Sequence, residues 1–469
     1  MDDEPGTARR EPVPTSPPLP TPKERRAAGK ARRQPTARSA HAPWQPAANR
    51  ADPIALLEES SRPRLPELIP IRYGRMLASP FAFLRGSPVV MAHDLAATPV
   101  SGIRVQLCGD AHLMNFGVYA SPERNLLFDL NDFDETLPGP WEWDVKRLAA
   151  SCVVAGRSYA FGTRHGVDAA RACVRSYRQR MRHYSKMSWL DLWYSRVDAA
   201  AALAVFRRGA RGSMTRTLNK VRRRNSLQAL SRLAAVRNGR LRIVEDPPLV
   251  THLSDRGLAE SLARFFHGYY TSLQDDRRLL LDRYRFVDFA RKVVGVGSVG
   301  TRCFIVLLDG SHNQDPLFLQ IKEALASILE PHLGRARQRN HGRRVVDGQR
   351  LVQSASDIFL GWSSEGGHDY YVRQLRDMKA TADLAAMSAA DLLDYAVLCG
   401  WVLARAHARS GDPALIAGYL GTGHQFDDAI AAFATAYADQ TERDFDVFNA
   451  AVRSGKLPAE KDAYGARRG

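Results

Sequence analysis

A block of strand-like segments lies between two helical blocks, and this order constrains the fold more than any other feature of the sequence. Residues 141–285 carry apolar side chains at three- and four-residue spacing, as in "GLAESLARFFHGYYTSLQ", which predicts helices. From Phe286 the spacing changes, and "RKVVGVGSVGTRCFIVLL" and "LFLQIKEA" predict strands separated by turns. Helical spacing returns in "LLDYAVLCGWVLARAHARSG". We therefore predict an α+β protein with a small antiparallel β lobe and a larger helical lobe.

The same changes of pattern set the predicted boundaries. Residues 1–50 are rich in Pro, Ala and Arg without periodicity, which predicts a disordered basic tail. We assign residues 51–285 to the helical lobe, residues 286–376 to the β lobe, and residues 377–469 to a hinge and the remaining helices. The chain begins MDDEPG without the apolar stretch of a signal peptide. No uncharged apolar run approaches the ~18 residues that a membrane span needs.

The cysteines and the net charge bear on the compartment and the partners. The five cysteines are scattered and never form a Cys-x-x-Cys pair, which argues against a zinc module and a disulfide framework. A reducing cytoplasm fits this pattern. The formal net charge of +17 makes nucleic acid a minority interpretation, because biased codon usage would also give many Arg and Ala residues. The basic segments 207–242 and 335–350 and the oligomeric state are left without an assignment.

Polar side chains gather at one end of a predicted β-hairpin. "NFGVYA" and "NLLFDLN" indicate two strands joined by the turn "SPER". Antiparallel pairing would bring Asn115 beside Asp132, with Asp110 on the same side a few residues before the first strand. Such oxygen ligands suit a hard cation such as Mg²⁺, and a further carboxylate can serve as a base. Turn capping would explain one or two of these residues, but not their coincidence at one end.

Three neighbours of this cluster are assigned separately. His112 and Asp134 fit a functional site and a structural turn equally well. We keep His112 as a catalytic candidate and Asp134 as a metal-binding candidate. Asp129 lies inside the second strand and is predicted to be structural.

The predicted β lobe begins with a glycine-rich turn, "GVGSVG". A dinucleotide-binding fold would need a helix directly after the glycines, but "TRCFIVLL" predicts a strand. Kinases have strand, glycine-rich turn and strand, with a lysine on the third strand that pairs with phosphate oxygens. Lys322, at the end of "LFLQIK", has this position. The predicted nucleotide-binding residues are Gly295, Gly297, Ser298, Gly300 and Lys322.

The hairpin segment resembles the catalytic core of aminoglycoside-phosphotransferase-like kinases, whose pattern runs His-Gly-Asp-x-His-x-x-x-x-Asn and then Ile-Asp-Phe. The matching residues here are "CGDAHLMN" and "NDFDE", with Cys108 where those kinases have His. The resemblance implies that Asp110 is the catalytic base. It implies that Asn115 and Asp132 hold magnesium. It also implies a structural role for Asp144, in "GPWEWDVKRLA".

The order of these segments differs from that of an ordinary kinase, in which the glycine-rich turn and the lysine come first. A circular permutation would explain the difference. Residues 286–376 would form the small lobe, "VRQLRDMK" the hinge, and "LLDYAVLCGWVLARAHARSG" the helix that leads into the catalytic segment. Glu323 and Glu330 are candidates for the glutamate that pairs with Lys322 in this pattern.

From about residue 65 the chain also resembles a bacterial family, domain of unknown function 2252. The stretches that carry this resemblance are "RYGRMLASPFAFLRG", "VQLCGDAHLMNFG", "FDLNDFDET", "VGVGSVGTR", "FLQIKEA" and "AYADQTERDFD". The resemblance implies no substrate. Arg85, in the first stretch, could reach a phosphate or a substrate acid, although packing against the lobe is the favoured interpretation.

These features together predict an ATP- and Mg²⁺-dependent phosphotransferase that acts on an unknown small-molecule hydroxyl. One alternative is a metal-dependent phosphoesterase, in which His93, Asp132 and Asp134 would contribute to a two-metal site. That alternative leaves the glycine-rich turn and Lys322 unused. Another is a catalytically inactive, kinase-like nucleotide-binding module. A nucleotidyltransferase would have the same sequence features as a phosphotransferase.

Overall fold

The computed structural model describes residues 20–207, 218, 230, 233–237, 240–253, 257–293, 295–310, 315–375 and 378–460. It is a mixed α+β protein with antiparallel sheets, which confirms the predicted fold class at this level. Most of the basic segment 207–242 lies outside the described residues. Among the described residues, no helix combines the length and apolar character needed to cross a membrane.

Helices occur on both sides of the main sheet in the sequence. Those before it are α1 (Pro22–Ala31), α2 (Pro53–Ser61), α3 (Ile69–Met76), α4 (Pro80–Gly86), α5 (Pro88–Ala96), α6 (Trp141–Ser158), α7 (Thr163–Tyr184), α8 (Trp189–Tyr194) and α9 (Ala199–Val205). Those within or after it are α10 (Leu258–Ser272), α11 (Asp275–Leu281), α12 (Glu330–Leu333), α13 (His341–Val352), α14 (Ala389–Ser410), α15 (Pro413–Leu420) and α16 (Gln425–Arg453). Short 3₁₀ helices span Arg38–His41, Pro66–Leu68, Leu113–Asn115, Val296–Ser298 and Leu384–Ala386.

The strands form one large sheet and three small ones. They are β1 (Arg104–Leu107), β2 (Phe116–Ala120), β3 (Leu126–Leu130), β4 (Leu137–Pro140), β5 (Ala234–Arg237), β6 (Arg240–Ile243), β7 (Val250–Thr251), β8 (Arg285–Lys292), β9 (Cys303–Asp309), β10 (Pro316–Glu323), β11 (Gly361–Glu365), β12 (His368–Gln374) and β13 (Ala380–Thr381). The main sheet has the order β11-β12-β10-β9-β8-β7. The small sheets are β1-β4, β13-β2-β3 and β5-β6.

Helix α6 forms the centre of the helical core. Its residues are buried from Trp141 to Gly156, and α7 and α16 pack against it. Trp141 stacks on Tyr177 of α7, with ring centroids 5.5 Å apart and ring planes at 5°. Large aromatic side chains of this kind contribute much of the free energy of a core. Because α6 also carries Asp144 and Arg147, these two side chains extend from a firmly packed helix.

Alternation along β10 decides which of its side chains face the hairpin formed by β2 and β3. Leu317, Leu319 and Ile321 belong to an apolar cluster that includes side chains of α10. Successive side chains of a strand point to opposite faces of the sheet. Gln320 and Lys322 therefore lie on the other face. A shift of one residue in the register would place Lys322 in the apolar cluster.

Residues 20–50 differ from the prediction of a disordered tail. Helix α1 begins at a capping box formed by Thr21 and Glu24. The Arg33 guanidinium donates to the carbonyl oxygens of Gly418, at 2.5 Å, and Tyr419, at 2.8 Å. Composition predicts disorder where few apolar groups are available for burial. Here the Arg33 guanidinium instead binds carbonyl oxygens at the end of α15, which have no hydrogen-bond partners within that helix. Residues 1–19 lie outside the described residues.

Candidate functional site

The hairpin brings three of the predicted residues together at its open end. Strands β2 and β3 pair antiparallel, with Phe116 opposite Leu130. The Asn115 Nδ2 atom donates to the carbonyl oxygen of Asp110 at 2.9 Å and to that of Asp132 at 3.3 Å. Asp110, Asn115 and Asp132 are therefore neighbours, because antiparallel pairing joins the start of β2 to the end of β3.

Asp144 fixes the backbone that precedes Asp110. Its carboxylate accepts hydrogen bonds from the backbone N–H of Cys108 at 2.8 Å and of Gly109 at 3.1 Å. The His407 Nε2 atom lies 3.2 Å from the same carboxylate. Gly109 has a φ of 86°, and a Cβ there would lie 2.3 Å from the Glu135 carbonyl oxygen, so only glycine fits. Asp144 is thus a structural residue whose partners hold the segment that carries Asp110.

The Asp110 side chain contacts Arg147 and His112. The Arg147 Nε atom donates to Asp110 Oδ1 at 2.5 Å, and the Arg147 side chain is 3 % exposed. The His112 Nε2 atom lies 3.7 Å from Asp110 Oδ2. Burial, together with the nearby Arg85 and Arg147, lowers the pKa of His112 well below its ordinary value. His112 is therefore neutral at pH 7 and is suited to hydrogen bonding rather than to charge pairing.

Three side chains of the main sheet and its glycine-rich turn converge on Asp134. The Lys322 ammonium group contacts Asp134 Oδ2, and it lies 3.6 Å from Asp132 Oδ1. The Tyr371 hydroxyl donates to Asp134 Oδ1 at 2.7 Å, and the Ser298 hydroxyl donates to Oδ2 at 3.2 Å. Burial lowers the pKa of Lys322, but the Asp132 and Asp134 carboxylates outweigh it and raise that pKa well above its ordinary value. Lys322 therefore stays positively charged.

This contact changes the interpretation of Asp134. The sequence predicts it as a metal ligand, and in this structure its two oxygens contact Lys322, Tyr371 and Ser298. Lys322 also lowers the pKa of Asp134, against the opposing effect of burial. Asp134 is thus the carboxylate partner of the lysine. This pairing could not be predicted from the sequence, because Asp132 and Asp134 have the same chemistry and are only two positions apart.

The two glutamates proposed as partners of Lys322 lie beside other groups. Glu323 lies 3.1 Å from the Arg302 guanidinium and 2.9 Å from His368, and Glu330 lies 4.0 Å from His341.

Helix α13, the longer of the two helices between β10 and β11, contains no glutamate. It contributes Arg344 instead, which donates to the carbonyl oxygens of Asp134 at 2.7 Å and Thr136 at 2.8 Å. Arg344 therefore ties α13 to the backbone of the segment that carries Asp134.

The glycine-rich turn is anchored at one end and open at the other. Gly300 has a φ of 91°, its carbonyl oxygen accepts from the Leu65 N–H at 2.7 Å, and Arg64 donates to the Val299 carbonyl at 2.6 Å. Gly295 and Gly297 are exposed. Among the described residues, no atom lies within 4 Å of the position that a Cβ of Gly295 would take. The exposed part of the turn thus leaves the backbone accessible to a ligand, since glycine has no side chain.

The sheet face that carries Lys322 has a second cation, which the sequence did not indicate. Arg373 of β12 is opposite Gln320, and Tyr371 is opposite Lys322. The Arg373 guanidinium donates to Gln320 Oε1 at 3.0 Å and to the carbonyl oxygen of Asn131 at 3.2 Å. The alternation in "YYVRQ" is the only sequence signal for this position. Two cations of the sheet thus lie against the carboxylate segment of the hairpin.

The oxygens that could hold Mg²⁺ come from Asn115 and Asp132. Because both partners of Asn115 Nδ2 are carbonyl oxygens, Oδ1 is the atom that can ligate a cation. The Asp132 side chain is 45 % exposed. In the part of the chain that the structure describes, no three His, Cys, Asp or Glu side chains form a metal-binding cluster. The residues fit a magnesium ion that takes its remaining ligands from water and phosphate.

Glu135, beside this site, gives a prediction about pH. Burial raises its pKa to about 7 from an ordinary value of 4.5, although Arg344 and the Ile328 N–H oppose the shift. Folding therefore favours protonated Glu135, and this stabilisation is complete below pH 4.5 and is lost as the pH rises to 7. Between pH 4.5 and pH 8, the free energy of unfolding of the Glu135→Gln variant should rise by about 1 to 3 kcal/mol relative to that of the wild type.

Urea unfolding at the two pH values measures this difference. Glu58→Gln, on the exposed side of α2, is the matched control and should show no such change. An equal effect of Glu135→Gln at both pH values would contradict the prediction.

Comparison with known proteins places this site within one family. The family described as "Uncharacterized protein conserved in bacteria (DUF2252)" matches residues 64–451. No curated protein and no solved structure matches the chain. The matched region extends from Arg64, at the glycine-rich turn, into α16, so it contains the hairpin, the lysine strand and the main sheet. The chain therefore belongs to the DUF2252 family.

Proposed function

We propose that the protein is a kinase-like phosphotransferase that uses ATP and Mg²⁺ to phosphorylate a hydroxyl group of a small molecule. One observation carries the proposal: Ser298 of the glycine-rich turn and Lys322 of the third strand meet the hairpin at Asp134. Lys322 and Asp134 are 188 residues apart in sequence. Glycine-rich turn, lysine and carboxylate segment form the phosphate-handling parts of a kinase.

Each part has a role that its geometry supports. The backbone at Gly295 and Gly297 would lie over the nucleotide phosphates, because no side chain blocks it. Lys322 would exchange part of its contact with Asp134 for a phosphate oxygen. Asn115 Oδ1 and Asp132 would hold the magnesium ion. Bound there, magnesium supplies positive charge that neutralises the phosphate oxygens.

Asp110 would accept the proton in the transfer step. The acceptor oxygen forms a bond to the terminal phosphorus of ATP, and the bond from that phosphorus to the bridging oxygen breaks, which releases ADP. The hydroxyl proton passes to the Asp110 carboxylate. Positioning and charge provide most of the catalysis in such a step, since the protein forms no covalent bond. Neutral His112 lies close enough to help orient the acceptor.

A circularly permuted kinase-like fold with two lobes accounts for the order of the segments. The end of α14 lies against β1, where the Gln106 N–H donates to Ser410 Oγ at 3.2 Å. Strand β1 leads directly to Asp110. Strand β13, which follows the main sheet, pairs with β2 of the hairpin. These contacts support a spatial order of sheet, connecting strand, long helix and catalytic segment like that of a kinase, with the chain connecting them in a different order.

The phosphoesterase alternative has less support. A two-metal site needs a cluster of ligands, and the described residues contain none. His93, which would contribute to it, packs against His332, with ring centroids 5.7 Å apart. This alternative also gives no role to the contact between Lys322 and Asp134. An inactive nucleotide-binding module would have the same geometry as an active kinase. Only a measurement of turnover distinguishes the two.

Calorimetry of magnesium-dependent ATP binding tests the proposal. We expect Lys322→Ala and Asp132→Asn each to weaken binding by at least about tenfold, because each removes a charged contact to the phosphates or the metal. The matched controls are Lys186→Ala and Asp446→Asn, both at exposed positions, which should bind as wild type does. Absence of ATP binding by the wild type would contradict the proposal. Binding without any turnover would support the inactive module.

A further inference from the structure

We infer that Arg147 is a positioning residue that holds one oxygen of Asp110 so that the other receives the acceptor proton. This inference rests on the proposed phosphotransferase function. The pairing of Arg147 with Asp110 is not part of the kinase pattern that the sequence resembles. Its geometry is given by contacts between α6, α4 and α5.

Arg147 has no freedom to turn its guanidinium group. Nε donates to Asp110 Oδ1 at 2.5 Å, Nη2 donates to the Leu84 carbonyl oxygen at 3.0 Å, and Nη1 lies 3.5 Å from the Met91 sulfur. Each nitrogen therefore has a partner on a different segment. The side chain is 3 % exposed, so water does not compete for these contacts. The planar guanidinium presents its N–H groups in a fixed arrangement and thereby fixes the direction of the Asp110 bond.

Asp110 is held on its backbone and on one carboxylate oxygen. Its carbonyl oxygen accepts from Asn115, and the two preceding N–H groups bind Asp144. Arg147 occupies Oδ1, and Oδ2 faces His112 at 3.7 Å, which is beyond hydrogen-bond distance. The Asp110 side chain is 20 % exposed. Oδ2 is therefore the oxygen available to an acceptor hydroxyl.

Asp144 and Arg147 hold different parts of the segment that carries Asp110. They are three positions apart on α6, so their side chains extend from the same face of the helix. Asp144 holds the backbone before Asp110, and Arg147 holds its side chain. Both groups belong to α6, which is buried along most of its length and so keeps the carboxylate in one place. A displacement of about 1 Å in such a site can cost about 100-fold in rate.

The test uses the full-length protein and the slow release of phosphate from Mg-ATP, with water as the acceptor. Arg147→Ala should lower kcat about 30- to 100-fold, while calorimetry gives a Kd for Mg-ATP within about twofold of wild type. Arg147→Lys should retain part of the activity. Methylguanidinium at low millimolar concentration should restore activity to Arg147→Ala by filling the vacated space.

A second variant separates positioning from folding. The double variant Asp110→Asn with Arg147→Ala should not respond to methylguanidinium, because the amide at position 110 leaves no carboxylate to accept the proton. Equal kcat in wild type and Arg147→Ala would overturn the inference, as would a loss of ATP affinity that matches the loss of kcat. A folded Arg147→Ala variant that methylguanidinium does not restore would also overturn it. If the wild type releases no phosphate, the proposed function itself fails.

Discussion

Asp110→Asn is expected to lower ATP-dependent phosphate release about 10²- to 10⁴-fold, which is the range for loss of a general base. The amide cannot accept the acceptor proton, and it must present its oxygen to Arg147, since the Arg147 Nε–H is a donor. The amide nitrogen then faces the acceptor as a donor, which is the wrong polarity. ATP affinity should change by less than about twofold, because in the proposed mechanism Asp110 would contact the acceptor rather than the phosphates.

The measurement is single-turnover phosphate release at saturating Mg-ATP, together with calorimetry on the same sample. Asp446→Asn on the exposed side of α16 is the control, since it makes the same chemical change away from the site. Turnover at the wild-type rate would exclude Asp110 as the proton acceptor. A parallel loss of ATP binding would instead indicate that the change disturbs the hairpin as a whole.

Asp129→Ala is expected to lower the free energy of unfolding by about 3 to 5 kcal/mol. Asp129 and Arg405 form an ion pair in which both side chains are 0 % exposed. Asp129 also accepts from the Ser354 N–H at 2.9 Å and from its hydroxyl at 2.8 Å. Removal of the carboxylate would leave the Arg405 charge buried without its counterion. Chemical denaturation at 25 °C measures the loss.

The double variant Asp129→Ala with Arg405→Met is the matched control for this pair. It removes both charges, so it should be less destabilised than the sum of the two single variants. If the free energy of unfolding of Asp129→Ala falls by less than about 1 kcal/mol, water must reach Arg405 and compensate for its charge. Asp129 lies in β3, so the same experiment measures how firmly the hairpin is joined to α14.

The sequence predicted the parts of the site that depend on local pattern. Two strand-like runs joined by the turn "SPER" predicted the β2–β3 hairpin, and this turn implied that Asn115 and Asp132 would meet. Strand, glycine-rich turn and strand gave the position of Lys322 on β10. These inferences succeed because a strand or hairpin largely determines the neighbours of its own residues.

The parts that depend on distant segments could not be predicted. Arg147 is one of many arginines on helical faces, and nothing in its local pattern separates it from an exposed one. Asp134 and Asp132 are chemically alike, and only the position of β10 decides which of them meets Lys322.

Ion pairs between the beginning and the end of the described chain have a consequence for biosynthesis. Arg25 pairs with Asp412, 387 residues later, and Arg50 pairs with Asp444, 394 residues later. At translation rates of roughly 5 to 20 residues per second, these arginines leave the ribosome about 20 to 80 seconds before their partners. During that interval the first helix has no surface to bind. The helical core is therefore completed only after α16 has been synthesised, and a chaperone that shields the early segments would meet them throughout this delay.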